Sequence, residues 1–335
     1  MKISVVIPCR NEKRHIGEFL DSVLRQELAP GDELEILVAD GMSDDGTREI
    51  LRGYDVRVID NPGRIVSTGL NAAIDASTGD VIVRMDAHSV YAHDYVRECV
   101  RALRESGADN VGGPWVAEGR GWIGKAIAAA FQSRVCAGGG KAHDPSYEGE
   151  ADTVYLGCWR REAFDRFGKF DPELVRNQDD ELNFRIQRRG GRIWQSPRIH
   201  SIYTPRDSLV ALFRQYMQYG YWKVVVIRKH GAVAAWRHIV PAAFVASIAI
   251  GAALAPFSRW IAIGLAAEAG AYALVCTAAA IPFARSLSWK SLVILPLVIA
   301  TYHVSYGLGF LVSLLRRRRK ESSDSAAPLF TQLTR

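Results

Sequence analysis

Apolar and polar positions alternate in short blocks over the first ninety residues and give way to long apolar runs after residue 238. Residues 3–8 (Ile-Ser-Val-Val-Ile-Pro) form a β-rich apolar run stopped by proline. Residues 12–26 carry Ile16, Phe19, Leu20, Val23 and Leu24 at the spacing of one helical face. Residues 35–40 predict a second strand, 45–52 a helix entered through an Asp-Gly-Thr turn, and 56–59 a third strand. Residues 65–76 then read as a helix and 80–86 as a fourth strand. Strands alternating with helices predict an α/β domain, a mostly parallel sheet flanked by helices on both faces. In such sheets ligands bind at the carboxyl ends of the strands.

The later pattern differs in kind. Residues 239–257, 260–284 and 291–315 are three apolar runs, each near the roughly 20 residues that a helix needs to cross a bilayer. Trp236, Trp260 and Trp289 stand near their ends, where indole rings favour the interface. Before them, residues 208–238 carry Leu209, Leu212, Phe213, Tyr216 and Tyr219 at helical spacing, closed by Arg228, Lys229, Arg237 and His238. That stretch reads either as an amphipathic helix in the membrane interface or as a core-packing helix of a soluble domain. The expected organisation is a domain over 1–207, an interfacial region over 208–238, a transmembrane region over 239–315, and a basic cluster with a disordered tail over 316–335.

Charge sharpens this division. The net charge of +6 is absent from residues 1–238, which hold 33 basic and 33 acidic residues. The excess lies in the last third, and its largest block is Arg-Arg-Arg-Arg-Lys at 316–320, directly after an apolar run. A cationic cluster there suits an anionic lipid surface, whereas nucleic-acid binding asks for basic residues on the folded domain. No secretory signal precedes the first strand, so residues 1–238 are expected in the cytoplasm, at the inner membrane of a bacterial cell. Three full spans would then carry the 316–320 block outside, against the positive-inside bias. Either one run is not a full span or the bias is broken. The first run is the shortest and contains Pro241 and Pro256, and the third contains Pro296, His303 and Gly307. Five cysteines without a Cys-x-x-Cys pair fit a reducing compartment.

The candidate chemistry sits where the strands end. The first ends in Pro8-Cys9-Arg10-Asn11-Glu12, the second in Asp40, the fourth in Asp86-Ala87-His88. Asp86 and His88 are two apart and share a side of an extended segment. They suit a divalent cation held against a diphosphate, Mg2+ or the more imidazole-tolerant Mn2+. The plainer reading is a loop aspartate capping an amide beside an exposed histidine. Asp179, Asp180 and Glu181 open a further helix, either complementing its dipole or presenting a general base. Dinucleotide, P-loop, serine-hydrolase and zincin motifs are missing from the sequence.

Five segments together resemble the family 2 inverting glycosyltransferases, whose nucleotide-sugar-binding fold is called GT-A. Residues 8–12 look like that family's P-x-x-N-E opening, and residues 40–47 like its D-G-x-S-x-D-G-T segment. Asn71, Gly79-Asp80 and Asp86-Ala87-His88 look like the approach to its D-x-D motif. Residues 177–185 resemble its E-D-x-E-L-x-x-R segment, and residues 214–223 the R-Q-Y-x-x-Y-G-x-W-K stretch of membrane-bound members. Bacterial exopolysaccharide glucosyltransferases of the succinoglycan type are the most similar in this respect. The resemblance implies nucleotide-sugar contacts from Pro8, Arg10, Glu12, Asp40 and Asp86. It implies metal contacts from Asp86 and His88, and an acceptor or diphosphate side formed by Gln215 and Trp222. Asp179 takes the place of the family's catalytic base, with Asp180 beside it. Two departures stand out: Gln178 replaces a Glu, and His88 replaces the second Asp of D-x-D. The implied partners are a nucleotide-diphosphate sugar, UDP-glucose first, a lipid-linked oligosaccharide acceptor and the membrane. Transfer of a sugar directly to polyprenyl phosphate is the competing enzymatic reading. A non-catalytic membrane subunit of a glycan synthase is the competing reading of another class.

Overall fold

A computed structural model describes residues 1–316 and Phe330. The basic cluster beyond Arg316 and the tail around Phe330 lie outside the described residues. The chain forms two compact units, Met1–Val116 with Gly140–Tyr203, and Ala117–Gly139 with Thr204–Arg335.

The first unit begins with β1 (Lys2–Cys9), α1 (Ile16–Leu24), β2 (Glu33–Asp40), α2 (Thr47–Leu51), β3 (Arg57–Asp60), α3 (Val66–Ala76) and β4 (Val81–Arg84). These are the strands and helices that the periodicity predicts, with β1 and β2 extending further, β3 shifted by one residue, and the helices and β4 shorter. It continues with β5 (Ser89–Tyr91), α4 (Tyr95–Ser106), β6 (Asn110–Gly113) and the start of β7 (Val116–Ala117). After an excursion into the second unit come β8 (Gly149–Glu150), β9 (Tyr155–Arg160), α7 (Arg161–Phe167), α8 (Gln178–Arg188), β10 (Ile193–Gln195) and β11 (Ser201–Tyr203). The main sheet has the order β3-β2-β1-β4-β9-β6-β10-β8. Strands β3, β2, β1 and β4 are mutually parallel, whereas β9 runs antiparallel between β4 and β6. In the β1–β2 register Cys9 faces Asp40, so both strands deliver their last residues to one edge.

Strand β1 is buried along nearly its whole length, as a parallel strand covered on both faces must be. One core joins Val6, Leu37, Ile82 and Trp159 of the sheet to Leu70 of α3, Phe164 of α7 and Leu182 of α8. That packing fixes where α8 begins. Gly79 enters β4 against β1, and a Cβ there would lie 2.4 Å from Ser4 Oγ, so only glycine fits.

The second unit is helical: α5 (Gly121–Gln132), α6 (Arg134–Ala137), α9 (Leu209–His230), α10 (Val240–Leu254), α11 (Arg259–Ala278) and α12 (Trp289–Leu315). Among the described residues three stretches are long and apolar enough to cross a membrane: Trp236–Phe257, Arg259–Phe283 and Trp289–Leu315. Helix α9 is continuous through the aromatic stretch and ends at Gly231, whose left-handed backbone (φ 62°) closes it.

Candidate active site

The site is built on the carboxyl edge of β1, β2 and β4. The loops after β1 and β2 are laced together by side chains. Asn11 N–H donates to Ser43 Oγ (2.9 Å), and Asp44 N–H donates to Asn11 Oδ1 (3.1 Å). Glu12 N–H donates to Thr47 Oγ1 (2.8 Å), and Lys13 N–H donates to Asp45 Oδ2 (3.1 Å). Asp45 also takes the Thr47 hydroxyl and amide. The polar residues of these two segments therefore hold the two loops to each other. Asp40 is fully buried; it accepts from Ser43 N–H (3.1 Å) and Oγ (2.5 Å) and pairs with Arg48 Nε (2.7 Å). Arg48 reaches Asp60 as well. Arg10 lies across Gly41, where a Cβ would come 3.1 Å from that of Arg10. Pro8 is half-buried beside Ala39 in the β1–β2 register, and Glu12 is buried.

The chemically dense part follows β4. Arg84, its side chain 4% exposed, grips Asp86 through two contacts, Nε to Oδ1 (2.9 Å) and Nη2 to Oδ2 (3.0 Å). Its third nitrogen, Nη1, donates to Asp179 Oδ1. One guanidinium thus joins the end of β4 to the first turn of α8. The Asp86 amide donates to Tyr91 Oη (2.6 Å), and Ser89 Oγ bonds Tyr155 Oη (2.7 Å). Trp115 stacks on Tyr155 (5.1 Å) and on His143 (5.7 Å), and His88 meets Tyr203 edge-on at 6.2 Å.

This arrangement separates two carboxyls electrostatically. Burial pushes Asp86 up, but the charge and hydrogen bonds of Arg84, helped by His88, outweigh it and hold the carboxyl below its ordinary range. Burial pushes Asp179 up to about 6; Arg84 opposes the rise, while Asp86 and Asp180 add to it. Asp179 retains 33% side-chain exposure, so its carboxyl can be reached from solvent. Glu181 does different work: fully buried, it pairs with Arg185 (2.6 Å) across one turn. Arg185 in turn donates to the Phe167 and Lys169 carbonyls.

Among the described residues no group of three or more His, Cys, Asp or Glu side chains converges to hold a metal. Asp86 and His88 still fit a cation held mainly by substrate phosphates. Such an ion keeps several waters and needs one or two protein ligands. The Asp86 oxygens retain lone pairs beyond those that Arg84 uses.

The structure brings Asp40, Asp86, His88 and Asp179 into the first unit, with Asp180 one position further along α8. Gln215 and Trp222 belong to the second unit and are buried in it. Gln215 bonds Arg206 (3.3 Å) and Tyr219 (3.2 Å), and Trp222 Nε1 donates to the Phe330 carbonyl (2.9 Å). Arg84 is the residue that sequence reasoning missed. Its signal is a lone charge in an otherwise apolar strand, two positions before Asp86 and so on the same face. Tyr91, Tyr155 and Arg48 carry no comparable signal.

The mostly parallel sheet, with antiparallel β9 inserted between β4 and β6 and acidic groups gathered at its carboxyl edge, is the architecture of a GT-A-like domain. Residues 4–149 match the glycosyl transferase family 2 model. The chain is 35% identical over 323 residues to the succinoglycan biosynthesis protein ExoA of Rhizobium meliloti, covering 94% of this chain and 96% of that one. On that likeness the chain belongs to glycosyl transferase family 2. A second relative is 25% identical over 242 residues, 68% of this chain and 74% of its own. It is the dolichyl N-acetyl-alpha-D-glucosaminyl phosphate 3-beta-D-2,3-diacetamido-2,3-dideoxy-beta-D-glucuronosyltransferase of Methanococcus voltae. Among solved structures, the mannosyltransferase PcManGT of Pyrobaculum calidifontis, in complex with GDP-Man and Mn2+, shares the fold. Its TM-score is 0.56 at 20% identity, covering 93% of this chain and 87% of that one.

Proposed function

We propose that the protein is a membrane-bound inverting glycosyltransferase. It moves a hexose, glucose from UDP-glucose before other donors, onto a lipid-linked saccharide in exopolysaccharide or cell-surface glycan synthesis. The observation that carries this reading is the pairing of Asp86 and Asp179 on one buried guanidinium. It sets a carboxylate held ionised beside one that titrates near 6. Two carboxyls with separated pKa values can divide donor binding and proton abstraction between them. The name of the ExoA relative supports the exopolysaccharide assignment. The Methanococcus relative's name supports a lipid-linked sugar as acceptor, and the Pyrobaculum complex supports a nucleotide-sugar donor.

In the reaction an acceptor hydroxyl oxygen bonds to the anomeric carbon from the face opposite the diphosphate. The hydroxyl proton passes to Asp179, the carbon–oxygen bond to the diphosphate breaks, and its electron pair leaves with the nucleoside diphosphate. One displacement inverts the centre, so an α-linked donor gives a β-linked product. Pro8, Arg10, Glu12 and Asp40 form the nucleoside side of the site, where Asp40, held by Ser43 and Arg48, braces the loop after β2. A divalent cation held by Asp86 and His88 would supply Lewis-acid compensation of charge on the leaving diphosphate. Arg84 fixes the Asp86 carboxylate and sets the spacing to Asp179. The test is release of nucleoside diphosphate by the detergent-purified chain from a panel of donors, with native lipid extract as acceptor source. Turnover with a UDP-hexose that collapses in Asp179→Asn is expected. No release and no transfer with any donor would overturn the enzymatic reading.

A further inference from the structure

We propose that only α10 and α11 cross the membrane, and that α12 lies flat along the face from which that hairpin enters. The inference rests on the membrane-bound reading above. It also resolves the conflict between three apolar runs and the positive-inside bias.

Helices α10 and α11 pair antiparallel with each other. Phe244 stacks on Tyr272 (4.3 Å), Ser247 Oγ donates to Glu268 (2.5 Å), and Gly251 faces Leu265. Each helix has a single buried residue, Ala242 in α10 and Cys276 in α11, and both lie at the same end of the hairpin. Toward the tip, Ile250, Phe257, Trp260 and Ile263 are all exposed. Helix α12 touches the hairpin at that base. Gly307 abuts the Pro241 carbonyl and Val245, His303 Nδ1 bonds Tyr272 Oη (2.9 Å), and Phe310 packs with Ala242. These contacts come from the middle of α12, so α12 passes across the hairpin's foot.

The remaining neighbours of α12 are charge-bearing helices. Over its first half it lies on α5: Ser291 Oγ donates to the Trp122 carbonyl (2.9 Å) and Tyr302 Oη to that of Ile127 (3.3 Å). Over its second half it runs parallel to α9. Tyr216 meets Tyr302, Gly220 meets the Tyr306 carbonyl, and Arg228 donates to the Leu314 and Arg316 carbonyls. Residue pairs 216/302, 220/306 and 228/314 keep one offset, so the two helices travel side by side for three turns. By that offset Arg214 and Gln218 lie level with residues 300 and 304, in the middle of α12, so if α12 crossed the bilayer α9 would cross with it and take them to mid-depth. Charged side chains are strongly disfavoured there. Laid flat, α12 keeps α9 and α5 on the aqueous side. It turns Trp289, Val293 and Leu297, exposed and four residues apart, toward the acyl chains. Arg316 then stays beside Arg228 and Tyr221, on the face where α9 ends and α10 begins. Arg316 is the first residue of the cationic block in the sequence, so the block begins on that cytoplasmic face.

The test uses the full chain in spheroplasts and inverted membrane vesicles, with an epitope appended after Arg335. Added protease is expected to remove the epitope in inverted vesicles and to leave it intact in spheroplasts. In a Ser258→Cys variant, at the hairpin tip, a membrane-impermeant maleimide is expected to label spheroplasts above the wild-type background. Loss of the epitope in spheroplasts would show an odd number of spans and overturn the proposal. An unlabelled tip in a chain that resists carbonate extraction would overturn it too, because the hairpin then does not cross. Extraction of the chain by carbonate would instead defeat the membrane-bound reading itself. The epitope measurement needs no substitution and stands if Ser258→Cys fails to fold.

Discussion

Replacing Arg84 by methionine should reveal how tightly the site is balanced. The change removes a buried cation and three charge-assisted hydrogen bonds, two to Asp86 and one to Asp179. The side chains left behind are two carboxyls, of which Asp86 is the more buried, its side chain 12% exposed. Breaking a buried pair by deleting one partner costs about 3–5 kcal/mol. Protonation limits the loss. A carboxyl of ordinary pKa near 3.9 can take up a proton at pH 7 for about 4 kcal/mol, and at pH 5 for only about 1.5 kcal/mol. Asp86 in the variant therefore has a raised pKa, and its unfavourable contribution grows as pH rises. The expected destabilisation is about 3–4 kcal/mol at pH 7, shrinking to about 1–2 kcal/mol at pH 5. Asp179 loses the opposing charge of Arg84 as well, so its carboxyl moves further up and its contribution has the same sign with pH. Urea denaturation of the detergent-solubilised chain, followed at both pH values against wild type, reads this directly. A penalty below about 1 kcal/mol at pH 7, or one equal at both pH values, would refute the claim that Arg84 neutralises buried carboxylate charge.

Asp179→Asn should lower kcat by about 10²–10⁴-fold with little change in donor KM, and Asp180→Asn should do much less; steady-state nucleoside diphosphate release separates them. The same assay in wild type should show kcat rising with pH through about 6 and levelling above, as Asp179 loses its proton and can accept another. Chelation by EDTA should abolish transfer and added Mn2+ or Mg2+ restore it, with His88→Asn raising the Mn2+ concentration needed. Gly309→Ala would put a Cβ 1.9 Å from the Met217 carbonyl. It should lower the denaturation midpoint by the equivalent of about 1–3 kcal/mol without altering donor KM.

Much of the first unit was legible in the sequence. The strands and helices through β4 follow from apolar runs of five or six residues set between helical faces, which is a local signal. The second half of the sheet was not legible. Strand β9 inserts antiparallel between β4 and β6, a pairing between segments some 75 residues apart that leaves no mark on either. At the site, Asp40, Asp86 and Asp179 were visible because their segments carry recognisable spacing. The role of Glu181 was not, because an acid in a run of three looks alike whether it pairs with Arg185 or faces solvent. Arg84 was hidden by its own strand: a charge amid valines reads as an edge position until the fold puts a carboxylate on each side of it. Helix length was legible in α10, α11 and α12, but their different surroundings were not. Apolar composition records a preference for a dry environment without recording whether lipid or protein supplies it.

The excursion of residues 117–139 out of the first unit has a consequence for biosynthesis. Helix α5 finds its partner in α12, through bonds joining residues 169 and 175 positions apart. At translation rates of about 5–20 residues per second, α5 waits on the order of 10–30 seconds for the helix that will cover it. During that interval its buried face, Ala126, Ile127, Ala130 and Phe131, has no α12 to pack on. The chain emerging from the ribosome therefore carries a sticky apolar segment before any of its long C-terminal helices exists.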